Sequence, residues 1–256
     1  MKSSSNFQLQ LPKSFLIVGH PGSGKTTLAL QLPKPFILDC DENMNGPVRY
    51  LTNSKGPLDF KYDTPFTLAD GKKTPRIRLM ERAAELLKEA CEDPEIETII
   101  VDSLTSFTEL LFIQTLLSQN KVVTDFTDFK KLDVKFDFDL WGAYLQLAKR
   151  TIFWLKSSGK RIVFCAHIKV DKDDLSGVLL NFINIPGQIR DYISGWFEEV
   201  WMTYIDNKPG SSDVIRKIRT VPDSRSQNLG LKSASGLANT FDANMSVILE
   251  KLQPKV

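Results

Sequence analysis

Residues 19–26 have the types and spacing needed to bind the phosphates of a nucleotide. They read GHPGSGKT and fit the pattern GxxxxGK followed by Ser or Thr in full. Glycines let the backbone curl so that successive N–H groups point at phosphate oxygens. Lys25 would reach the β- and γ-phosphates of ATP, and Thr26 would bind Mg²⁺ through its hydroxyl. The residues predicted to form this site are Gly19, His20, Pro21, Gly22, Ser23, Gly24, Lys25, Thr26 and Thr27.

A second candidate is the carboxylate that follows the apolar residues 98–101, which have the composition of a buried strand. A strand that ends in Asp102 would place its carboxylate beside the phosphate-binding loop, where it could hold Mg²⁺ directly or through water. The alternative is that Asp102 caps the helix predicted to begin at Leu104, and the pair Asp102 and Ser103 could serve both roles.

Two further strand ends carry polar groups that suit nucleotide hydrolysis. The strand at 36–38 is followed by an acidic turn, in which Asp41 or Glu42 could position water opposite the γ-phosphate. The alternative for either residue is a solvated acidic turn. The strand at 161–166 is followed by His167, which could sense the γ-phosphate, although a lone histidine is more often structural.

The elements that must position these groups alternate between short apolar strands and longer helical stretches. This alternation predicts an α/β fold in which a mostly parallel sheet is flanked by helices. Residues 43–75 are rich in Gly, Pro, Asn, Asp and Thr and predict loops with a hairpin. Residues 199–204 and 214–220 predict a late antiparallel pair of strands at a sheet edge.

Length and composition set the class of protein. The chain has 256 residues, 42% of them hydrophobic, and 33 basic against 31 acidic residues give a net charge of +2. Three scattered cysteines argue against a disulfide scaffold or a zinc site. No apolar run approaches the roughly 18 residues of a membrane span, and the polar N-terminus is unlike a signal peptide. We therefore expect a cytoplasmic protein with a flexible tail at 1–13, a core at 14–225 and a C-terminal extension of the same domain at 226–256.

The order of the four strand ends resembles the RecA-like core of P-loop ATPases. The motifs are PGSGKTT at 21–27, LDCDE at 38–42, IIVDS at 99–103 and FCAH at 164–167. The chain is most similar to the phage-encoded, core-only group of RecA-like proteins, which includes single-strand annealing recombinases. In RecA-like proteins the second strand ends near a catalytic Glu. Asp41 stands there in this sequence, with Glu42 directly after it.

The resemblance implies ATP hydrolysis at a site between the subunits of a ring or filament. His167 matches a γ-phosphate sensor that is commonly His in the phage group. A neighbouring subunit would donate basic residues, for which Lys217 and Arg219 are the preferred candidates and Arg216 and Arg225 the others. The alternative is a solvated basic edge that guards against edge-to-edge strand pairing.

The resemblance also implies single-stranded DNA and a single-strand DNA-binding protein as partners, no membrane, and the cytoplasm of a bacterial host. The family's DNA-facing loops correspond to residues 120–137 and 169–184. The first contains lysines and phenylalanines that would suit single strands, but also several aspartates, so a loop packed on the core is the alternative. Two other functions remain open: an ATPase without recombinase activity, such as a helicase loader or packaging accessory, and a small-molecule P-loop kinase.

Overall fold

The computed structural model describes residues 11–119, 138–172, 177–207, 214–234, 236–237 and 241–252. Within these ranges ten strands form a sheet. They are β1 (Ser14–Gly19), β2 (Pro35–Asp39), β3 (Lys61–Asp63), β4 (Thr98–Asp102), β5 (Arg161–Lys172), β6 (Leu179–Ile183), β7 (Glu199–Asn207), β8 (Val214–Arg219), β9 (Lys232–Ser233) and β10 (Phe241–Asp242). Eight of them follow the order β10-β8-β7-β1-β5-β4-β2-β3, while β6 pairs with β5 and β9 pairs with β7.

The centre of the sheet is parallel, as the alternation of strands and helices predicted. Strands β7, β1, β5, β4, β2 and β3 pair in parallel in that order. Every residue of β1, β2 and β4 is buried, because both faces of a parallel sheet are covered by helices. The register pairs Gly19 with His167 and Asp39 with Asp102, so the carboxyl ends of these strands meet at one edge of the sheet. The predicted α/β fold class is confirmed.

Helices cover the two faces of the sheet and build two apolar cores. The described helices are α1 (Lys25–Ala29), α2 (Asn45–Lys55), α3 (Leu79–Glu92), α4 (Leu104–Ser118), α5 (Phe138–Ser157), α6 (Ile189–Tyr192) and α7 (Met245–Leu252). The first core contains side chains of α3, α4 and α5, and the second contains side chains of α1, α2 and α7. None of these helices combines the length and the hydropathy that a membrane span requires.

The late antiparallel pair is also confirmed, although it does not form the outermost part of the sheet. Strand β7 pairs in parallel with β1 on one side and antiparallel with β8 on the other. The two-residue strand β10 then covers β8, with Phe241 paired to Ile218. A short outer strand of this kind leaves little free edge for another chain to join.

Two local expectations were wrong and one was incomplete. Residues 43–75 contain the expected hairpin, closed by an antiparallel bridge between Thr67 and Lys73, but also helix α2 and strand β3, which pairs in parallel with β2. Strand β5 does not end at Ala166, because it continues to Lys172, and its outer half pairs with β6. Residues 169–184, expected to be a mobile loop, are therefore a β-hairpin in their described part. The domain boundaries remain a prediction.

Candidate functional site

The loop between β1 and α1 is shaped by two glycines. Gly24 has a φ of 97°, a left-handed conformation that residues with a Cβ atom rarely adopt. Gly19 lies so close to its neighbours that a Cβ there would be 2.5 Å from Ser23 Oγ and 2.6 Å from the carbonyl oxygen of Thr203. Ser23 Oγ and Thr203 Oγ1 lie 2.8 Å apart, and this hydrogen bond ties the loop to β7. The backbone is thus fixed in a curl, with His20 exposed.

Lys25 lies under this loop and is 5% exposed. Its Nζ donates hydrogen bonds of 3.1 Å to the carbonyl oxygens of Gly19 and of His20. The same atom lies 3.4 Å from His167 Nδ1. Burial lowers the pKa of Lys25, and the nearby carboxylates of Asp102 and Asp41 partly oppose this effect. The geometry holds the ammonium group at the cavity that the loop encloses.

Thr26 and Asp102 contact each other at the wall of the same cavity. The Thr26 hydroxyl donates a hydrogen bond to Asp102 Oδ2. Burial raises the pKa of Asp102 to about 6. The cap of α4 is Ser103, whose Oγ accepts a 3.3 Å hydrogen bond from the backbone N–H of Ser106. Asp102 is therefore not needed as the helix cap, and its carboxylate points to Thr26.

This pair of oxygen donors fits Mg²⁺. A buried carboxylate is costly unless donors or a cation compensate its charge. Asp102 is 7% exposed, and Thr26 is its one side-chain hydrogen-bond donor among the described residues. Carboxylate and hydroxyl oxygens suit this hard cation, which is commonly held by one or two carboxylates together with substrate phosphates. No cluster of three or more His, Cys, Asp or Glu side chains within the described ranges could hold a metal by itself.

Replacing Asp102 by Asn should stabilise the protein in the absence of nucleotide and Mg²⁺. Because the pKa of Asp102 is raised to about 6, the folded protein binds a proton near pH 5 that the unfolded chain releases. Wild-type stability from this group therefore rises as the pH falls from 7 towards 4. At pH 7 the Asn variant should gain up to about 3 kcal/mol of unfolding free energy.

Urea unfolding of both proteins at pH 5 and pH 7 measures this difference. The advantage of Asp102→Asn should shrink at the lower pH, where the wild-type carboxyl is already protonated. An advantage of equal size at both values would contradict the raised pKa.

Asp41 is held by three side chains in the described part of the structure. Its Oδ1 accepts hydrogen bonds from Ser103 Oγ, at 3.0 Å, and from Ser106 Oγ. Its Oδ2 lies 3.1 Å from His167 Nε2. Burial alone would raise the pKa of Asp41, but the hydrogen bonds from His167, Ser106 and Ser103 outweigh it, and the pKa is lowered. A carboxylate fixed in this way can orient a water molecule.

The other two acidic residues of this turn, Asp39 and Glu42, have different surroundings from Asp41. Glu42 is exposed, has a φ of 50° and is absent from the described cavity lining. Asp39 shapes the turn, because its Oδ1 accepts hydrogen bonds from the backbone N–H groups of Asp41, at 3.1 Å, and of Asn43, at 3.4 Å. Of the two candidates at this strand end, the structure therefore brings Asp41 and not Glu42 to the phosphate-binding loop.

His167 lies between Lys25 and Asp41 and contacts both side chains. One ring nitrogen faces Lys25 Nζ and the other faces Asp41 Oδ2. The tautomer that satisfies both contacts carries its proton on Nε2, donates to Asp41 and accepts from Lys25. The backbone N–H of His167 also donates a 3.1 Å hydrogen bond to Thr105 Oγ1 at the start of α4. His167 therefore contacts the lysine, the candidate water-positioning group and a helix at once.

The side chains converge on one cavity of about 370 Å³ at the carboxyl ends of the strands. This is where ligands bind in open parallel sheets. Sequence reasoning missed Ser103 and Ser106 as partners of Asp41, and it also missed Tyr50. The described lining consists of Pro21, Gly22, Gly24, Lys25, Thr26, Thr27, Asp41, Asn43, Gly46, Pro47, Tyr50, Asp102, His167 and Arg216.

The two preferred candidates for a group donated to a neighbouring subunit lie outside this lining. Lys217 Nζ pairs with Asp206 Oδ2 at 2.6 Å. Arg219 pairs with Asp223, and its guanidinium carbon lies 5.0 Å from the centre of the Tyr204 ring. Their contact with a neighbouring subunit stays a prediction. The DNA-facing candidates at 120–137 lie outside the described residues.

Comparison with known proteins places the chain in a family. The sequence profile of the AAA domain family matches residues 11–227. None of the curated proteins compared with the chain matches it. A KaiC-like protein from the hyperthermophilic archaeon Pyrococcus horikoshii OT3 is similar over 81% of this chain and 78% of its own, at 12% sequence identity and a TM-score of 0.39. Because the family profile covers most of the chain, the chain belongs to the AAA domain family and carries a P-loop ATPase domain.

Proposed function

We propose that the protein is a Mg²⁺-dependent ATPase of the RecA-like type that acts on single-stranded DNA in recombination or annealing. The observation that carries the ATPase assignment is the chain of contacts from Lys25 through His167 to Asp41, beside the pair Thr26 and Asp102. A phosphate-binding cation, a held carboxylate and a pair of metal-binding oxygens thus share one cavity. A site that only bound nucleotide would not need the held carboxylate.

Each group then has a role in hydrolysis. The N–H groups of the loop and Lys25 hold the phosphates, while Thr26 and Asp102 would hold Mg²⁺, which supplies positive charge to the phosphate oxygens. Asp41 orients the water that attacks the γ-phosphorus as the bond to the β-phosphate oxygen breaks, which yields ADP and phosphate. The lowered pKa of Asp41 suits a positioning role more than proton removal, because a weak base takes up a proton poorly.

His167 would report the γ-phosphate to the rest of the molecule. It forms hydrogen bonds with Lys25 and Asp41. It lies on β5 at the last position that pairs with β1, and the next residue pairs with β6. A change in the contacts of its ring can therefore reach the β5–β6 hairpin and, through Thr105, helix α4. Helix α4 precedes the proposed DNA-facing segment at 120–137 in the sequence, and the described part of the hairpin belongs to the other proposed segment, 169–184.

The DNA-related part of the proposal is supported by the resemblance to phage RecA-like proteins and by the lysines and phenylalanines of 120–137. Lys169 and Lys172 add basic groups to the β5–β6 hairpin. A ring or filament, a single-strand DNA-binding protein as partner, and action in the cytoplasm of a bacterial host belong to the same proposal.

ATPase rates measured with and without single-stranded DNA test this part, together with the particle size in the presence of a non-hydrolysable ATP analogue. We expect the rate to rise severalfold with DNA and the analogue to drive assembly into rings or filaments. Hydrolysis that is indifferent to DNA would favour the ATPase without recombinase activity. Phosphate transfer to a small molecule in place of hydrolysis would favour the kinase.

A further inference from the structure

Arg216 carries a charge at the phosphate-binding loop for which the described residues provide no acidic partner. It lies on β8 and lines the cavity together with Lys25 and Thr26. Its Nε is buried and has no hydrogen-bond partner among the described residues. An arginine stays protonated under all ordinary conditions, so this nitrogen is a buried donor that lacks an acceptor. Such a group is costly unless a ligand supplies the acceptor.

The side chain of Arg216 is held against the loop. A Cβ on Gly24 would lie 2.5 Å from Arg216 Cδ, so the arginine stem passes directly over the glycine where α1 begins. The guanidinium carbon lies 4.5 Å from the centre of the Tyr50 ring. Stacking on an aromatic face restricts the guanidinium before any ligand binds, which reduces the entropy lost on binding.

The direction of Arg216 follows from the alternation of side chains along a strand. Ile218 belongs to the core that contains Leu28 of α1, so Arg216 points to that same face of the sheet. Lys217 and Arg219 point to the opposite face, where they pair with Asp206 and Asp223. One face of the strand therefore presents to its own loop a cation that pairs with no described carboxylate. The other face carries two cations that each pair with an aspartate.

We propose that Arg216 binds the phosphate chain of the nucleotide held by the loop of its own subunit. The inference rests on the proposed nucleotide site and adds a residue to it. The arginine would belong to the same chain as the loop that holds the nucleotide. Basic residues contributed by a neighbouring subunit would be additional to it. The planar fork of a guanidinium matches two phosphate oxygens, which a lysine cannot do.

Competition binding with a fluorescent ATP analogue and Mg²⁺ tests the proposal, with unlabelled ATP and inorganic tripolyphosphate as competitors. Loss of a charge-assisted hydrogen bond should weaken binding of both competitors to Arg216→Ala by about tenfold to a hundredfold. Arg216→Lys should fall between Arg216→Ala and the wild type. Arg49→Ala removes an exposed arginine next to Tyr50 and should bind within about twofold of the wild type.

The outcomes separate the inference from the function on which it rests. Wild-type protein that binds neither competitor would overturn both. Wild-type binding that Arg216→Ala retains in full would overturn the inference alone. Weaker binding of ATP with unchanged binding of tripolyphosphate would also overturn it, because Arg216 would then act on the nucleoside through Tyr50.

A mixture of variants tests whether the arginine acts within its own chain. Arg216→Ala keeps the loop lysine, and Lys25→Ala keeps the arginine. If Arg216 serves its own subunit, mixing the two variants restores no tight nucleotide binding. Restored binding in the mixture would show that the arginine reaches a neighbour and would overturn the proposal.

Discussion

Lys25→Ala should lower the ATPase rate by at least about a hundredfold, the usual cost of removing a positioned charge from a phosphoryl-transfer site. Lys25 Nζ is the cation held closest under the loop, between the carbonyl oxygens of Gly19 and His20 and the ring of His167. No other described lysine lines the cavity. The expected loss is therefore in the binding and activation of the phosphates.

The same substitution should leave the fold intact. Burial of the ammonium group lowers the pKa of Lys25, which shows that its charge is costly to the folded protein. We expect a thermal midpoint within a few degrees of the wild type and an unchanged circular dichroism spectrum. Lys72→Ala, at an exposed lysine paired with Asp70, is the matched control and should keep the wild-type rate. Wild-type turnover by Lys25→Ala would refute the site.

Asp41→Asn should lower kcat by about a hundredfold or more and change the affinity for ATP by less than about threefold. The Asn side chain has nearly the same shape, and its oxygen can still accept from Ser103 and Ser106. Its amide nitrogen cannot accept the hydrogen bond from His167 or orient a water as a carboxylate does. The loss should therefore fall on the chemical step.

Glu42→Gln is the comparison that decides between the two acidic residues of this turn. Because Glu42 is exposed and absent from the described cavity lining, its substitution should change kcat by about twofold or less. Single-turnover rates at saturating ATP measure both variants directly. The reverse pattern, with a large loss in Glu42→Gln and a small one in Asp41→Asn, would assign the water-positioning role to Glu42.

The phosphate-binding loop and the central strands were predictable because their signals are local. Each central strand is a short apolar run that ends in a polar residue, and a parallel sheet covered on both faces requires such runs. The partners of Asp41 were not predictable in this way. Ser103 is 62 residues from Asp41, and the two meet because β2 pairs with β4 in the register that joins Asp39 to Asp102.

Helix α2 escaped prediction because its sequence is a poor helix former. It begins with Asn45, Gly46 and Pro47, which are typical of turns, although a proline is tolerated in the first turn of a helix. Leu51 is its one buried residue and packs in the second core, so the helix is stabilised by tertiary contact more than by propensity. Met44, Val48 and Leu51 do have helical spacing and pack in the second core, but this short period is interrupted by the turn-forming residues at the start of the helix.

The position of Arg216 could have been found from the sequence. Ile218 is a buried apolar residue of β8, and side chains alternate along a strand, so Arg216 shares the face of Ile218. The preference for Lys217 and Arg219 came from family resemblance and did not use this alternation. The alternation of side chains along β8 puts Arg216 on one face of the sheet and Lys217 and Arg219 on the other.

A crystal structure with a non-hydrolysable ATP analogue and Mg²⁺ is the direct test of the nucleotide site. We expect the triphosphate to lie along the main-chain N–H groups of residues 22–26, with Lys25 on the phosphates and the metal between the oxygens of Thr26 and Asp102. An analogue bound elsewhere, or a loop closed by its own side chains at saturating analogue, would show that residues 19–26 do not form the nucleotide site.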